Sequence, residues 1–237
     1  MVGALILIAA VTHRLGSRLL DSLHNAPDYL LQVSQNGTQV VLGALLESVD
    51  AAAAAAIGIL LFPILRKHNE AIALGYAGTR IIECLLLIVA GISALSLIPL
   101  SQEYVQAGTP AAPYFEALGT VVVAQSGLAF QIAMIALGLG SIPFCYLLYR
   151  TRLIPRWMAV LGLIGYAALL IGGLLELFGL NLSMIHFAPG GLFELILPIW
   201  LIVKGFNESV IPADDSGGTV VRQPAVASQQ GTAKSLR

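Results

Sequence analysis

Charge is what this chain has least of. Lysine, arginine, aspartate and glutamate make up 11% of its 237 residues, where soluble domains carry about a quarter, so water is not the main solvent of its body. The formal net charge is -1 and no run of like charges is long enough to suggest a binding tail. That excludes a surface for nucleic acid. Cysteine is almost missing: Cys84 and Cys145 both lie inside apolar blocks, where a thiol behaves as a small hydrophobe, so neither a disulfide framework nor a CxxC site is available. The four histidines, His13, His24, His68 and His186, are scattered in none of the spacings that zinc ligands favour. No metal or other cofactor is therefore expected. The start, Met1-Val2-Gly3-Ala4-Leu5-Ile6, has no basic residue, where a secretory signal peptide carries one, so a first transmembrane helix is expected there instead.

Apolar residues are what fill the chain, at 57%, and they come in blocks of about 20 or more, the length that crosses a bilayer as helix. Blocks ended by charge or turn residues fall at about 1 to 20, 39 to 65, 71 to 98, 117 to 149, 153 to 179 and 187 to 206. The expected fold is an all-α, polytopic transmembrane bundle of about six helices, with the lipid bilayer as its partner. The first block is short. Only Met1 to Thr12 is apolar before His13, Arg14 and Arg18, and about 12 residues cover about 18 Å of a core about 30 Å thick. It spans only if those cations snorkel outward, and it reads as a first helix clipped by a late start at Met1. Residues 207 to 237 turn to serine, glutamine, glycine, threonine and proline, a composition that cannot bury enough apolar surface to order itself, so a disordered tail is expected.

Orientation follows from lysine and arginine in the short loops. Arg66 and Lys67 follow the second block, Arg150, Arg152 and Arg156 separate the fourth from the fifth, and Lys204 ends the sixth. All six belong on one side, the cytoplasm, while the opposite loops at about 99 to 116 and 180 to 186 carry neither residue type. Arg14 and Arg18 dissent. Both termini are then expected in the cytoplasm of a bacterial inner membrane. Trp157 and Trp200 fall where an aromatic belt would lie.

Four segments carry a family likeness. They are Phe62-Pro63-Ile64-Leu65-Arg66-Lys67-His68-Asn69-Glu70; Leu74-Gly75-Tyr76-Ala77-Gly78-Thr79-Arg80-Ile81-Ile82-Glu83; Tyr149-Arg150-Thr151-Arg152-Leu153-Ile154-Pro155-Arg156 with Leu161-Gly162-Leu163-Ile164-Gly165; and Phe193-Glu194-Leu195 followed by Ile199-Trp200-Leu201-Ile202-Val203-Lys204-Gly205-Phe206. In order and spacing the chain resembles, over roughly residues 20 to 206, the bacterial multi-pass membrane family called domain of unknown function 4386. The resemblance implies a membrane bundle and carries over no catalytic residue. The chain departs from the family pattern at its start, where members have a full first helix after a short cytoplasmic lead.

Ionisable groups inside membrane helices cost several kcal/mol to insert and usually face the bundle interior or a water-filled cavity. Here they are Glu47, Asp50, Arg80, Glu83, Glu176 and Glu194. Glu47 and Asp50 share a helix face that Ala51, Ala54 and Gly58 extend with small side chains. Arg80 and Glu83 are likewise three apart. Counting depth along antiparallel helices puts Asp50 and Glu83 about 4.5 Å apart in height, with Arg80 able to reach either and Glu194 level with Asp50. A polar cluster of Asp50, Arg80, Glu83 and Glu194, with Glu47 above it, is expected between the second, third and sixth spans. Glu47 and Glu176 lie near the outer boundary, where a carboxylate can also reach water.

One arginine cannot neutralise four or five carboxylates, and proton relays and cation sites are built from such an excess. A small transporter or proton-linked membrane protein is the first functional expectation. The second is a non-enzymatic scaffold or regulatory protein in which the cluster only fixes helix packing. Third stands an intramembrane hydrolase, for which Ser126 and His186 are the available nucleophile and base; a lone serine more often bonds its own helix backbone, and His186 sits at a loop edge. Gln125 and Gln131 read as interhelical hydrogen-bond donors. Pro143 and Pro198 fall inside spans and Pro189 near the start of one, where each removes a backbone donor. The two halves show no inverted repeat, unlike many secondary transporters.

Overall fold

The computed structural model describes residues 1–24, 26, 28–108, 111–180, 182–207 and 209. Almost all of them are helical: α1 (Val2–His24), α2 (Tyr29–Gln35), α3 (Gly37–Leu65), α4 (Glu70–Ala107), α5 (Ala112–Thr151), α6 (Arg156–Leu177), a 3-10 turn at Ser183–Phe187, and α7 (Ala188–Val203). Six helical segments, all except the short α2, are long and apolar enough to cross a membrane, the last running from Ile185 to Val203. The chain is a multi-pass membrane bundle, and no strand occurs among the described residues. The expected disordered tail lies outside the described residues except for Asn207 and Ser209.

α1 does not stop at its cations. Its 23 residues run through His13, Arg14 and Arg18 and cover about 35 Å at about 1.5 Å per residue, so the helix is long enough to span, against the expectation of a shortened one. Its inward face explains the continuity. Ala9, Gly16 and Leu23 are buried, and with His13 and Leu20 between them they form a stripe at spacings of three and four, the period of one helix face.

The helix ends are set by local chemistry. The Asn69 side chain accepts a hydrogen bond from the Ile72 amide at 2.9 Å and Glu70 occupies the first turn of α4, two favourable features for a helix start. α6 closes on Gly179, with φ of 84°. Leu180 N donates to the Leu175 carbonyl at 3.1 Å and Gly179 N to the Glu176 carbonyl at 2.9 Å, the paired bonds of a Schellman turn that glycine accommodates without a Cβ penalty. α3, α4, α5 and α7 continue through Pro63, Pro99, Pro143 and Pro198. Pro189 falls in the first turn of α7, where the missing donor costs nothing.

The six long helices form a ring. Each packs on its neighbour in sequence, α3 on α4, α4 on α5, α5 on α6 and α6 on α7, while α1 closes the circle by packing on both α7 and α3. Close approach at the joints depends on glycine: a Cβ on Gly165 of α6 would lie 2.6 Å from the Gly190 backbone of α7, and one on Gly3 of α1 would lie 2.7 Å from the Pro198 carbonyl. The N-terminus of α1 and the C-terminus of α7 are therefore at the same end as the α3–α4 and α5–α6 turns. Arg66, Lys67, Arg150, Arg152, Arg156 and Lys204 gather at this end. His68 lies in the α3–α4 turn at this end, where burial lowers its pKa below the ordinary imidazole value.

The largest packed core, with Leu65, Tyr76, Phe144, Leu148, Met158 and Phe193, occupies the half nearer this cationic end. A smaller cluster of Leu23, Val33, Val40 and Leu97 fills part of the opposite end, where α2 packs on α4. A third cluster of Ala51, Leu87 and Ala133 joins α3, α4 and α5 between them, and beside it the closed ring leaves space in its interior.

Candidate functional site

That space is a cavity of about 920 Å³ to which all six long helices contribute. Asp50, Arg80, Glu83, Glu194 and Glu47 all line it, and so do His13 and Glu176. Its lining also reaches Arg18 and Asp21, near the end of α1 remote from the cationic turns. The charged groups divide into three nodes.

The first node is a matched pair. The inward stripe of α4 runs Ala73, Tyr76, Arg80, Glu83, Leu87, Gly91 and Ala94, all buried, so two charges occupy positions where spacing demands core residues. Arg80 Nη1 lies 2.8 Å from Glu83 Oε2, and their side chains are only 9% and 5% exposed. Arg80 Nε also donates to the Ala54 carbonyl of α3 at 3.2 Å. Gly58 makes that possible, because a Cβ there would sit 2.8 Å from the Arg80 Cβ. Among the described residues Arg80 makes no ion pair with Asp50. Of the two carboxylates within its expected reach it pairs with Glu83, its neighbour one turn along the same helix.

The second node has more acceptors than donors. His13 Nδ1 lies 3.0 Å from Glu47 Oε2 and 3.6 Å from Asp50 Oδ2, and its ring stacks on Phe130 at 5.5 Å between centroids. This overturns two expectations at once: His13 turns into the bundle instead of snorkelling outward, and the cluster contains a histidine. The physical reason is that carboxylates removed from water need donors, and α3 offers two at the height of His13. Glu47 is not reaching for bulk solvent. Its Oε1 is buried with no hydrogen-bond partner among the described residues, against Gly16 of α1, where a Cβ would lie 2.8 Å from that oxygen. The signal was present in the α1 stripe, with His13 at the spacing of Ala9, Gly16 and Leu23, but in one dimension the residue reads as the polar boundary of a short helix.

Glu194 forms no ion pair with either node among the described residues. Its Oε1 accepts a hydrogen bond from Tyr166 of α6 at 3.1 Å, and its helix packs on α6 and α1. The cluster is thus not simply held between α3, α4 and α7, since α1 lies between α7 and α3 and supplies His13. The third node joins α5 to α6: Gln131 Nε2 donates to the Gly173 carbonyl at 3.0 Å and to Glu176 Oε2 at 2.8 Å. His186 Nδ1 is 3.8 Å from Glu176 Oε1. His186 is buried, in place of the solvated loop edge expected, because Gly172 gives its ring room: a Cβ there would come within 2.5 Å of it. Gln125, by contrast, is exposed.

The hydrolase pairing finds no support in this arrangement. Ser126 Oγ donates to the Ala90 carbonyl of α4 at 3.2 Å, tying two helices together instead of bonding its own backbone. His186 faces Glu176, and no hydrogen bond joins it to Ser126 among the described residues.

Ring and cavity define a class, a multi-pass membrane bundle with a polar interior. The chain belongs to the family described as Domain of unknown function (DUF4386), whose model matches residues 1–205. α1 lies within that match, which extends beyond the stretch where the sequence likeness was evident. No curated protein and no solved structure matches the chain.

Proposed function

We propose that the chain is a small proton-linked membrane transporter of a bacterial inner membrane, with Asp50, Glu83 and Glu194 as the carboxylates of its pathway and Arg80 as the counter-ion held at Glu83. One observation carries the reading: a cavity of about 920 Å³ inside a membrane bundle is lined by all of these groups together with Glu47 and Glu176, while Arg80, the one buried arginine or lysine among the described residues, is already committed to Glu83. Among the described residues Asp50 and Glu194 pair with no lysine or arginine, and an intramembrane carboxylate in that position binds a proton or a cation readily. The positive-inside rule puts the end bearing Arg66, Lys67, Arg150, Arg152, Arg156 and Lys204 in the cytoplasm, with both termini. A reporter fused after Arg237 and found outside the cell would contradict that orientation.

The test uses purified protein in vesicles loaded with a pH-sensitive dye. Wild-type protein is expected to relax an imposed pH gradient faster than protein-free vesicles, and Asp50→Asn and Glu194→Gln are expected to return the rate to the protein-free level while unfolding at nearly the wild-type temperature. A second reading, a non-enzymatic scaffold or regulatory protein, draws on the Arg80 bond to the Ala54 carbonyl, which joins α4 to α3. It requires the opposite outcome, with both substitutions lowering stability or yield and no flux at any stage.

A further inference from the structure

We propose that His13, Glu47 and Asp50 form a binding site for a divalent transition-metal ion of the zinc class in the wall of the cavity. The donor atoms of these three residues all lie within 4.8 Å of one another. Zinc holds nitrogen and oxygen ligands at about 2.0 to 2.2 Å, which sets the edge of a tetrahedral site at about 3.3 Å. Two of the three edges, 3.0 Å from His13 Nδ1 to Glu47 and 3.6 Å to Asp50, bracket that value, and the third, between the two carboxylates, lies within 4.8 Å, close enough for side-chain rotation to draw them together on an ion.

Charge and donor type agree with the geometry. A protonated His13 would offset one of the two carboxylates and leave the other without a cation, whereas a neutral imidazole with a divalent ion balances both. The ion would also give the unpartnered Glu47 Oε1 a ligand within reach of its own carboxylate. Imidazole in the set favours zinc, copper, iron or nickel over magnesium and calcium, which are bound through oxygen. Arg80, the cation best placed to compete for Asp50, is held by Glu83 and the Ala54 carbonyl. All three ligands line the cavity, so a fourth coordination position faces open space, the arrangement of sites that exchange or act on a ligand. This inference goes beyond the transport reading, because an ion can be held at equilibrium whether or not anything crosses the membrane.

Titration of Zn²⁺ into purified, metal-free protein with no gradient present is expected to show one saturable site per chain. Removal of a hydrogen-bonding neighbour of a metal ligand weakens binding about 10- to 100-fold, and loss of a ligand itself should reach at least the upper figure, so His13→Ala and Asp50→Asn are expected to weaken binding about 100-fold or more. His68→Gln, in the α3–α4 turn, should leave it unchanged. X-ray absorption at the zinc edge of the wild-type protein needs no variant to fold and is expected to show one imidazole with oxygen ligands and no sulfur. Absence of a saturable site, affinity unchanged in His13→Ala, or a sulfur shell from Cys84 or Cys145 would each overturn the assignment. None of these outcomes bears on the vesicle experiment, so the two readings fail separately.

Discussion

Two pairs of charged residues in this protein look alike on paper and behave differently in space. Arg80 with Glu83 and Glu47 with Asp50 are both spaced three apart on inward helix faces. The first pair is nearly sealed, opposite in sign and tied to the neighbouring helix through Ala54; the second is like-charged, more open and shares one histidine from a third helix. A matched buried pair is a staple whose removal from one side is costly. An unmatched pair in the wall of a cavity is a site awaiting a proton or a cation, and its loss should cost function more than stability.

The sharpest way to break this contrast is to remove half of the staple. Arg80→Met leaves Glu83 buried and unpaired and should destabilise the protein by about 3 to 5 kcal/mol, read as thermal unfolding in detergent. Replacing Glu83 by Leu in the same chain should recover most of that loss, because a buried pair exchanged together for apolar residues is close to neutral. If the double variant is no better than the single one, the pair is not a staple.

Gly58→Ala comes next, pressing a methyl group against the Arg80 Cβ, for an expected loss of about 1 to 3 kcal/mol from overpacking. Gly75→Ala on the adjoining helix is its control: nothing lies within 4 Å of a Cβ there, so the change should stabilise by up to about 1 kcal/mol through helix propensity. Comparing the two melting temperatures separates the crossing from the glycine itself.

At the open pair the expected stability effects shrink. His13→Gln keeps a donor for Glu47 and should lose no more than about 1.5 kcal/mol, the worth of one hydrogen bond, while zinc affinity falls with the imidazole. A large drop in melting temperature without any change in ion binding would make this node a second staple. Gln131→Ala, which removes an interhelical donor between α5 and α6, is the smallest effect expected, about 0.6 kcal/mol, measured in the same unfolding assay.

Much of this was legible in one dimension. Apolar blocks longer than about 20 residues have few alternatives to helix in a bilayer, so five long helices were evident, while α1 continues past its cations to His24 and α4 runs to Ala107, beyond the apolar block that marked it. The residues lining the cavity were legible as a list for a related reason: a charge in a membrane helix is too costly to face lipid. Pairing was not. Whether Arg80 meets Asp50 or Glu83, whether His13 points in or out, and whether Glu176 reaches water or Gln131 are decided by which helices are neighbours.

The sequence by itself determined the solvent, the helices and the identity of the groups that must turn inward, because each of these follows from the cost of placing a polar atom in hydrocarbon. Only the tertiary structure decided that the helices close into a ring with α1 between α7 and α3. That closure opens a cavity and brings His13 to two carboxylates that periodicity had already put on one face. Side-chain period acts along one helix, whereas ring order depends on close crossings such as Gly165 with Gly190 and Gly58 with Arg80, each of which pairs residues far apart in the chain.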